Sequence, residues 1–336
     1  MFSLKPQLLA VFLGVLFPAS LAAAASLSEG AWVDTHDSGY VVGIEEGRYT
    51  VSIGGKVKRI ARVLSLDGDV LHLCDNGRDV FLKMSRDGNG LSLRALDSGE
   101  THRLRGLPEW PEALRLIPIS IPAGKPLAEA RVLEVQGELW RRMADDQGAF
   151  RMPRELRPTN PAAPWLPPPP PQPRELASQD FNLIAVQADN AAFVRKLITE
   201  IGWIDVRRFG YSASNAAFLL VQHSYDLSLM MPVLEAIERD VEAGYPMGEA
   251  YALLYDRVHL MLGEKQRYGT QVTYDETGEP LLLPVEKPDE LGELRKALEM
   301  QPIDEYLRAL GGSQVRISPE CGALHQPVLP MSPANR

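Results

Sequence analysis

The first third of the chain alternates short apolar runs with glycine-containing turns. The apolar runs occupy residues 40–42, 49–53, 60–64, 70–73, 80–82 and 91–93. The turns between and after them contain Gly54-Gly55, Asp67-Gly68, Asn76-Gly77, Asp87-Gly88 and Ser98-Gly99. Such pairs supply the positive φ angles that tight hairpins require. The pattern predicts an antiparallel β-meander over residues 26–106, arranged as a small barrel or a sandwich.

From residue 127 onward the apolar positions recur every three or four residues, which predicts helices. The predicted helices cover residues 127–150, 180–201, 213–231, 248–262, 289–299 and 303–309. Ser212 or Ser214 is the predicted cap of the third helix. The fold class that follows is segregated α+β, with the β-meander first and an all-α domain over residues 127–311.

Prolines mark the segments that connect and interrupt these domains. Four prolines between residues 107 and 125 exclude a regular helix there and predict an extended connector over residues 107–126. Ten prolines within residues 153–173 predict a stiff, solvated insertion in the helical domain. Gly311-Gly312 is the predicted end of that domain, and residues 312–336 are predicted to form a loose tail.

Several ionisable side chains lie where the helical pattern predicts a buried face. In the first predicted helix the apolar stripe continues to Asp146. In the third, His223 lies on the apolar face, and in the fourth, Arg257 does so, with Asp256 at the margin. Burying such groups without partners is costly, so they must satisfy one another. The sequence therefore predicts a buried polar network in the helical domain.

The overall charge argues against one class of partner. The chain of 336 residues has a formal net charge of -9 at pH 7 and no basic patch, so a general nucleic-acid binder is excluded. The only cysteines are Cys74 and Cys321, which form either an interdomain disulfide or two buried thiols. Without a nearby histidine pair they do not make a structural zinc site.

Residues 1–25 have the three parts of a secretory signal peptide. Lys5 lies in a short N-terminal region, an apolar run covers residues 8–17, and small residues 22–25 precede Ser26. The run is too short for a comfortable membrane span, so we expect export without a transmembrane anchor. The expected location is periplasmic or secreted, and the expected partner is an envelope component or a small-molecule ligand.

Six short motifs of the helical domain resemble a known family. They are Asp146-Gln147 with Arg151, Asp189-Asn190, Gly202-Trp203, Gln222-His223, Asp256-Arg257, and the run Gln266-Arg267-Tyr268-Gly269-Thr270-Gln271. In this order, over about residues 127–310, they resemble bacterial domains of unknown function, family six-six-two-four. The resemblance implies no activity, because the family is uncharacterised. It does imply candidate ligand-binding residues, which are Asp146, Gln147, Asp189, Asn190, Gln222, Gln266 and Gln271.

A hydrolase is one hypothesis for this site. His223 would act as the general base, and Asp256 or Asp146 would orient it. Arg257 would hold an anion, and Tyr268 would donate a hydrogen bond. The sequence contains no G-x-S-x-G, no H-E-x-x-H and no phosphate-cradling glycine loop, so the common hydrolase classes have no motif support.

Two other hypotheses stay open on the sequence. In one, Asp146, Asp189, Asp256 and His223 bind a metal ion, although spacing alone assigns no metal site and identifies no cofactor. In the other, the polar groups form a buried network that fixes helix packing or binds a ligand. The protein would then be a ligand-binding or scaffold module in the cell envelope, which is the favoured hypothesis.

Overall fold

The computed structural model describes residues 29–88, 90–149, 176–275 and 277–321. Its first part is a closed barrel of eight antiparallel strands in sequential order, in which β1 also pairs with β8. The strands are β1 (Gly30–Asp34), β2 (Tyr40–Glu45), β3 (Arg48–Ile53), β4 (Lys56–Asp67), β5 (Val70–Asp75), β6 (Arg78–Asp87), β7 (Gly90–Ala95) and β8 (Thr101–Gly106). The predicted meander is confirmed, and it closes as a barrel.

Two-residue turns set the register of the barrel. Gly54-Gly55 connects β3 to β4 with φ angles of 59° and 75°, and Asn76-Gly77 connects β5 to β6 with 50° and 71°. Both turns agree with the sequence prediction. Glu46-Gly47 makes a turn of the same kind between β2 and β3, which the sequence pattern does not predict because glutamate has little turn preference. Apolar side chains such as Val42, Leu71 and Leu73 fill the barrel interior.

Seven α-helices follow the barrel within the described residues. They are α1 (Glu129–Ala149), α2 (Leu176–Ile201), α3 (Val206–Gln222), α4 (Leu227–Glu242), α5 (Gly248–Met261), α6 (Leu291–Ala297) and α7 (Ile303–Ala309). A hairpin of β9 (Val272–Tyr274) and β10 (Pro280–Leu282) lies between α5 and α6. The segregated α+β fold class is confirmed, and this hairpin is an addition to the predicted all-α domain.

The chain turns sharply between α3 and α4, where the sequence predicts one unbroken helix over residues 213–231. Tyr225 has a φ of 46°, which no helix accommodates. The Ser224 hydroxyl accepts a hydrogen bond from the Asp226 amide at 3.2 Å and donates one to the Val221 carbonyl at 2.7 Å. The helix prediction is wrong here because side-chain hydrogen bonds compete with the helical backbone pattern.

The start of α3 also differs from the prediction. Asp205 caps the helix by accepting a hydrogen bond from the Arg208 amide at 2.9 Å, so α3 begins at Val206. The helical path is interrupted at Gly210, which has a φ of 75°. Ser214 donates a hydrogen bond to the Gly210 carbonyl at 3.0 Å, so the predicted capping serine lies just beyond this interruption instead.

The barrel and the helical part meet along β4 and β5. Lys58 of β4 donates a hydrogen bond from Nζ to the Ser224 carbonyl at 3.0 Å. Of the two alternatives for the cysteines, the disulfide is found: Cys74 and Cys321 are bonded, with their Cα atoms 5.4 Å apart. Leu282 pairs with Ile317, so the chain up to Cys321 is held in place, in contrast to the predicted loose tail.

Three predicted segments fall wholly or partly outside the described residues. They are the signal peptide (1–25), the proline-rich insertion (153–173) and the tail from residue 322 onward. The connector over residues 107–126 is extended except for a single 3-10 turn at Glu112–Leu114. None of the helices in the described ranges combines the length and the apolar character that crossing a bilayer requires.

Candidate functional site

His223 lies at the C-terminal end of α3 and contacts α1. Its Nδ1 atom is 2.6 Å from Oδ2 of Asp146. The Asp146 side chain is 1% exposed, whereas the His223 side chain is 13% exposed. The Asp146 carboxylate is therefore buried inside the helical part, and the His223 imidazole lies between it and the solvent-exposed surface. Of the two carboxylates predicted to orient His223, Asp146 is the one in contact.

Eight buried side-chain atoms of the described ranges have no hydrogen-bond partner, and four of them belong to Asp146 or to residues linked to this pair through Arg142 and Gln222. Two are acceptors, Oδ1 of Asp146 and Oε1 of Gln222, and two are donors, Nδ2 of Asn190 and Nε of Arg257. Leaving a buried polar group unpaired costs about 1–3 kcal/mol, and native structures rarely do so. We call these four residues together with His223 the His223 cluster. Its unused donors and acceptors are groups that a bound ligand or ordered water would satisfy.

Arg257 of α5 brings a positive charge to the cluster. Its Nη1 donates to the Gln222 carbonyl at 3.5 Å, its Nη2 donates to Oε1 of Gln271 at 3.3 Å, and its guanidinium lies 5.2 Å from the centre of the Tyr225 ring. All these partners are uncharged, and no carboxylate of the described ranges pairs with it. A guanidinium in such surroundings keeps the capacity to bind an anion. Gln271 joins the edge of the cluster through this contact.

Helix α2 reaches the cluster through Arg142 of α1. Arg142 donates from Nη1 to Oδ2 of Asp189 at 2.6 Å and to Oδ1 of Asn190 at 3.0 Å. This contact holds Asn190 against α1, one helical turn before Asp146, and is its described link to the rest of the cluster. The Asp189 side chain, in contrast, is 73% exposed and points away from it. Gln147 donates to Oδ2 of Asp146 at 3.2 Å from an exposed position.

Asp256 does not contact His223, in contrast to the hypothesis that it orients the imidazole. Its Oδ1 accepts hydrogen bonds from the amides of Arg267 and Tyr268 at 2.7 and 2.9 Å. Its Oδ2 accepts from the amide and the hydroxyl of Thr270, both at 2.9 Å. The helical pattern places Asp256 at a margin, but its side chain is fully buried because the 266–271 loop folds back over α5. Asp256 anchors this loop.

Tyr268 and Gln266 lie with Asp256 and not with His223. Tyr268 packs edge-on against Tyr251 and Tyr255, with ring centres 6.0 and 5.5 Å apart, and burial raises the pKa of its hydroxyl. Gln266 is fully buried; it donates to the carbonyls of Gln271 and Leu283 and accepts from the Gln271 amide. Both residues hold the loop, so the predicted catalytic role of Tyr268 and ligand-binding role of Gln266 are not supported.

The four residues of the metal-binding hypothesis are not brought together. Asp189 is paired with Arg142, and Asp256 is engaged by the loop, so of the proposed set only Asp146 and His223 lie together. Across the described ranges, no group of three or more His, Cys, Asp or Glu side chains is placed to hold an ion.

Comparison with protein families places part of the chain. Residues 158–315 match the Family of unknown function (DUF6624). This segment, a little under half of the chain, matches that family. The resemblance is therefore confirmed for the five motifs from Asp189-Asn190 onward, whereas Asp146-Gln147 with Arg151 precedes the matched residues. The match covers the helices from α2 to α7. Comparison with curated proteins and with solved structures finds no match.

The DUF6624 match divides the site between two parts of the chain. Asn190, Gln222, His223 and Arg257 lie inside the matched residues, whereas Asp146 lies on α1, which precedes them. The carboxylate that contacts the imidazole is thus supplied from outside the matched segment. Any function of the His223 cluster depends on α1 packing against the DUF6624 region.

Besides the His223 cluster, a buried ion pair is centred on Asp226, just before the start of α4. Asp226 is fully buried and accepts hydrogen bonds from Nη2 of Arg195 at 2.5 Å and from the Ser228 hydroxyl at 2.7 Å. Nζ of Lys56, on β4, lies 3.4 Å away. Burial would raise the pKa of Asp226, but the Ser228 and Arg195 hydrogen bonds and the nearby positive charges bring it below its usual value. This group ties the barrel to the DUF6624 region.

Arg142 and Asp226 are the two important residues that sequence reasoning does not select. Arg142 lies three positions after the fully buried Leu139, so the helical period of α1 contains the signal for it. For Asp226 the signal is weaker: Ser224 and Asp226 are residue types that favour turns and helix N-caps, but the apolar pattern over residues 213–231 predicts a continuous helix through them. The role of Asp226 depends on the break in that helix and on two side chains from distant elements.

Proposed function

We propose that the protein is an exported ligand-binding module of the cell envelope and that its ligand binds at the His223 cluster. The observation that carries this proposal is the set of four unpaired buried atoms on the residues linked to the His223–Asp146 contact. Asp256, which anchors a loop, has donors from the fold on both of its oxygens, whereas the His223 cluster has several unpaired atoms on linked residues. Convergent polar groups with spare capacity are typical of a ligand site.

The residues of the cluster define the class of ligand. Arg257 offers a guanidinium that has no carboxylate partner among the described residues, which favours an anionic group on the ligand. Asp146 and Gln222 offer unpaired acceptor oxygens, which favour hydrogen-bond donors on the ligand. A small polar molecule with both features, such as an amino acid or an amino sugar acid, fits this set.

Export is the second part of the proposal. The sequence of residues 1–25 supports it, and so does the Cys74–Cys321 disulfide, because disulfides persist in oxidising compartments. Expression of the full chain and of a chain that lacks residues 2–25 tests this part. We expect the full chain in the periplasmic or extracellular fraction with its disulfide formed, and the shortened chain in the cytoplasm. Equal distribution of the two would contradict export.

A hydrolase is the second candidate function, and the 2.6 Å contact between His223 and Asp146 favours it. A carboxylate at Nδ1 fixes the tautomer and orientation of an imidazole that acts as a general base. Arg257 would then stabilise the developing negative charge of the reaction. In this case His223→Gln and Asp146→Asn should each abolish turnover of the ligand, while its binding persists.

Thermal unfolding of the purified protein with a panel of ligands tests binding. The panel contains amino acids, sugar acids and fragments of envelope glycans, because a ligand of the folded state raises its stability. His223→Gln and Arg257→Gln should remove the stabilisation by any ligand that acts on the wild type. His259→Gln is the matched control, since His259 also pairs with a carboxylate, Glu264, at 2.5 Å on the same helical part.

Access to the cluster is tested without knowledge of the ligand. Diethyl pyrocarbonate modifies imidazoles that solvent reaches, and mass spectrometry locates the modified residues. We expect modification of His223 in the folded protein and its protection by the stabilising ligand. An imidazole that reacts only after unfolding would show a sealed structural network and would contradict the proposal.

A further inference from the structure

A cavity of about 300 Å³ lies between the barrel and the helical part. Its walls are residues 60–64 of β4, the loop of residues 262–265 after α5, and the Cys74–Cys321 disulfide. Ligand pockets in proteins begin at about this size. The residues that line it include no member of the His223 cluster. The cavity is therefore a separate candidate site.

Two arginines face each other at the rim of this cavity. Arg48 of β3 and Arg62 of β4 are directly opposite in the antiparallel register, and both line the cavity with exposed side chains. Like charges placed directly opposite on neighbouring strands destabilise a sheet. Within the described ranges, neither guanidinium has a carboxylate within 4.0 Å. On its other side Arg48 lies opposite Glu45 of β2, so the repulsion is confined to the side that faces Arg62, where an anion between the two arginines would relieve it.

The acidic residues of the rim do not neutralise this pair. Glu264 is 2.5 Å from Nδ1 of His259, and Glu320 is 2.5 Å from Nζ of Lys265. The one other carboxylate in the described lining is that of Glu46. The described lining thus carries three basic and three acidic side chains, so the preference for an anion rests on Arg48 and Arg62 lying opposite each other and not on an excess of positive charge.

The inner wall of the cavity has an apolar part. Val63, Leu64, Leu262 and Pro284 contribute to it. The pairing of β4 with β5 shifts register between Val63 and Ser65, so Leu64 is the extra residue of a β-bulge. Bulges redirect side chains and are frequent beside functional sites. Here the bulge accompanies two successive apolar residues, Val63 and Leu64, in the lining of the same cavity.

The walls are held together at two points close to the cavity. The disulfide fixes the C-terminal segment to β5. At Gly77, in the turn after β5, an added Cβ would lie 2.9 Å from Cδ of Pro284, so the barrel and the helical part approach closely there. The cavity is thus preformed by contacts that do not depend on a ligand, which reduces the ordering that binding requires.

We propose that this cavity binds a small amphipathic anion. The charged group, a carboxylate, sulfonate or phosphate, lies between Arg48 and Arg62, and the apolar part of the molecule lies inside the cavity. This site is independent of the ligand proposed for the His223 cluster.

The test uses the full purified chain and the fluorescent anion 8-anilinonaphthalene-1-sulfonate. We expect a single saturable site whose affinity falls as the salt concentration rises. Octanoate or octyl phosphate should displace the dye, and the stronger competitor identifies the charged group. Octanol lacks the charge and acetate lacks the apolar chain, so neither should compete at the same concentration. Displacement by octanol as effective as that by octanoate would overturn the proposal.

Variants locate the binding site on the molecule. Arg48→Gln with Arg62→Gln should weaken dye binding at least tenfold. The same double variant should melt at an unchanged or higher temperature without ligand, because it removes a repulsive pair. Arg103→Gln with Arg105→Gln, on β8, removes the same charge elsewhere on the barrel and should bind as the wild type does. Equal affinity in the two double variants, or the absence of saturable binding by the wild type, would refute the site.

Two further variants separate this site from the others. His223→Gln should leave dye affinity unchanged, since the cavity shares no described residue with the His223 cluster. Leu64→Trp should lower the affinity, because the larger ring occupies the cavity while the two arginines remain. Loss of dye binding on replacement of His223 would assign the dye to the other site and contradict the inference.

Discussion

Asp146 on α1 and Asp256 on α5 are two fully buried carboxylates of the helical part with very different surroundings. Asp256 accepts four hydrogen bonds, two on each oxygen, from the loop that covers it. Asp146 has both of its described contacts, to His223 and to Gln147, on Oδ2, and its Oδ1 is buried without a partner in the described ranges. Both oxygens of Asp256 accept hydrogen bonds from the fold, whereas Oδ1 of Asp146 accepts none from the described residues.

The difference teaches how to separate structural from functional polar groups in this molecule. Three of the four donors around Asp256 are backbone amides, which the fold itself must satisfy. The side chains in contact with Asp146 are His223 and Gln147, and further unpaired buried atoms belong to Asn190, Gln222 and Arg257. A buried group that remains unpaired reduces stability, and a ligand or an ordered water would satisfy it. Such atoms also occur outside the cluster, as at Nε of Arg195, so the cluster is distinguished by having several of them on linked residues.

Removal of the satisfied carboxylate should have the largest effect. Asp256→Ala leaves three backbone amides of the loop without an acceptor, and each buried unpaired group costs about 1–3 kcal/mol. We predict that the free energy of unfolding falls by about 3–6 kcal/mol, measured by urea denaturation. A fall of less than about 1 kcal/mol would show that the loop does not depend on Asp256.

Asp226 offers a third environment, in which a buried carboxylate is paired with positive charges. Asp226→Asn leaves Arg195 and Lys56 without their acidic partner. Breaking a buried ion pair costs about 3–5 kcal/mol, and we expect about 2–3 kcal/mol here because both cations reach solvent. The stabilities of the wild type and of the variant at neutral pH measure this effect.

The same variant predicts a pH dependence with a definite sign. The pKa of Asp226 is lowered in the folded state, so below about pH 4, the usual range for an aspartate, the unfolded chain binds more protons. The stability difference between the wild type and Asp226→Asn should therefore be constant at higher pH and shrink as the pH falls below about 4.

Asp240 is the control for that sign. Burial raises the pKa of Asp240, whose partner is the uncharged Trp203 indole at 2.9 Å. The window lies between the raised pKa of Asp240 and its usual value of about 4. As the pH falls through this window, the free energy of unfolding of the wild type should rise relative to that of Asp240→Asn. The same pH trend in both variants would contradict the assignment of the two environments.

Replacement of the imidazoles should have the smallest effect on stability. His223→Gln and His259→Gln each remove one histidine–carboxylate contact at an edge, and we expect each to lower the free energy of unfolding by about 1 kcal/mol or less. The two variants should differ in ligand response, with stabilisation by ligand lost only in His223→Gln. A large loss of stability in His223→Gln alone would favour a structural role for His223.

The barrel was accessible to sequence reasoning because its signals are local. Gly54-Gly55 and Asn76-Gly77 supply turn geometry within two residues, and period-two apolar runs flank them. The break between α3 and α4 was not accessible in the same way. Ser224, Tyr225 and Asp226 carry no glycine or proline, and the turn depends on the burial of Asp226 against Arg195 and Lys56 from distant elements.

Part of the candidate site could be predicted because it follows from local helical patterns. The helical period of α1 places Asp146 on the buried face, and the period of the predicted third helix places His223 inward, so their contact follows from two local patterns. The period of α5 selects Arg257 and leaves Asp256 at the margin, whereas Asp256 is the buried one. That reversal comes from the 266–271 loop, whose return over α5 has no signal in the helix itself.

One measurement tests the central claim that the His223 cluster is built for a ligand and the Asp256 anchor for the fold. It is the pair of unfolding free energies of Asp146→Asn and Asp256→Asn, which make the same change of shape and charge at two fully buried sites. We predict a loss of about 3 kcal/mol for Asp256→Asn, where an amide group faces backbone donors, and about 1 kcal/mol or less for Asp146→Asn. Equal losses at the two positions would contradict the claim.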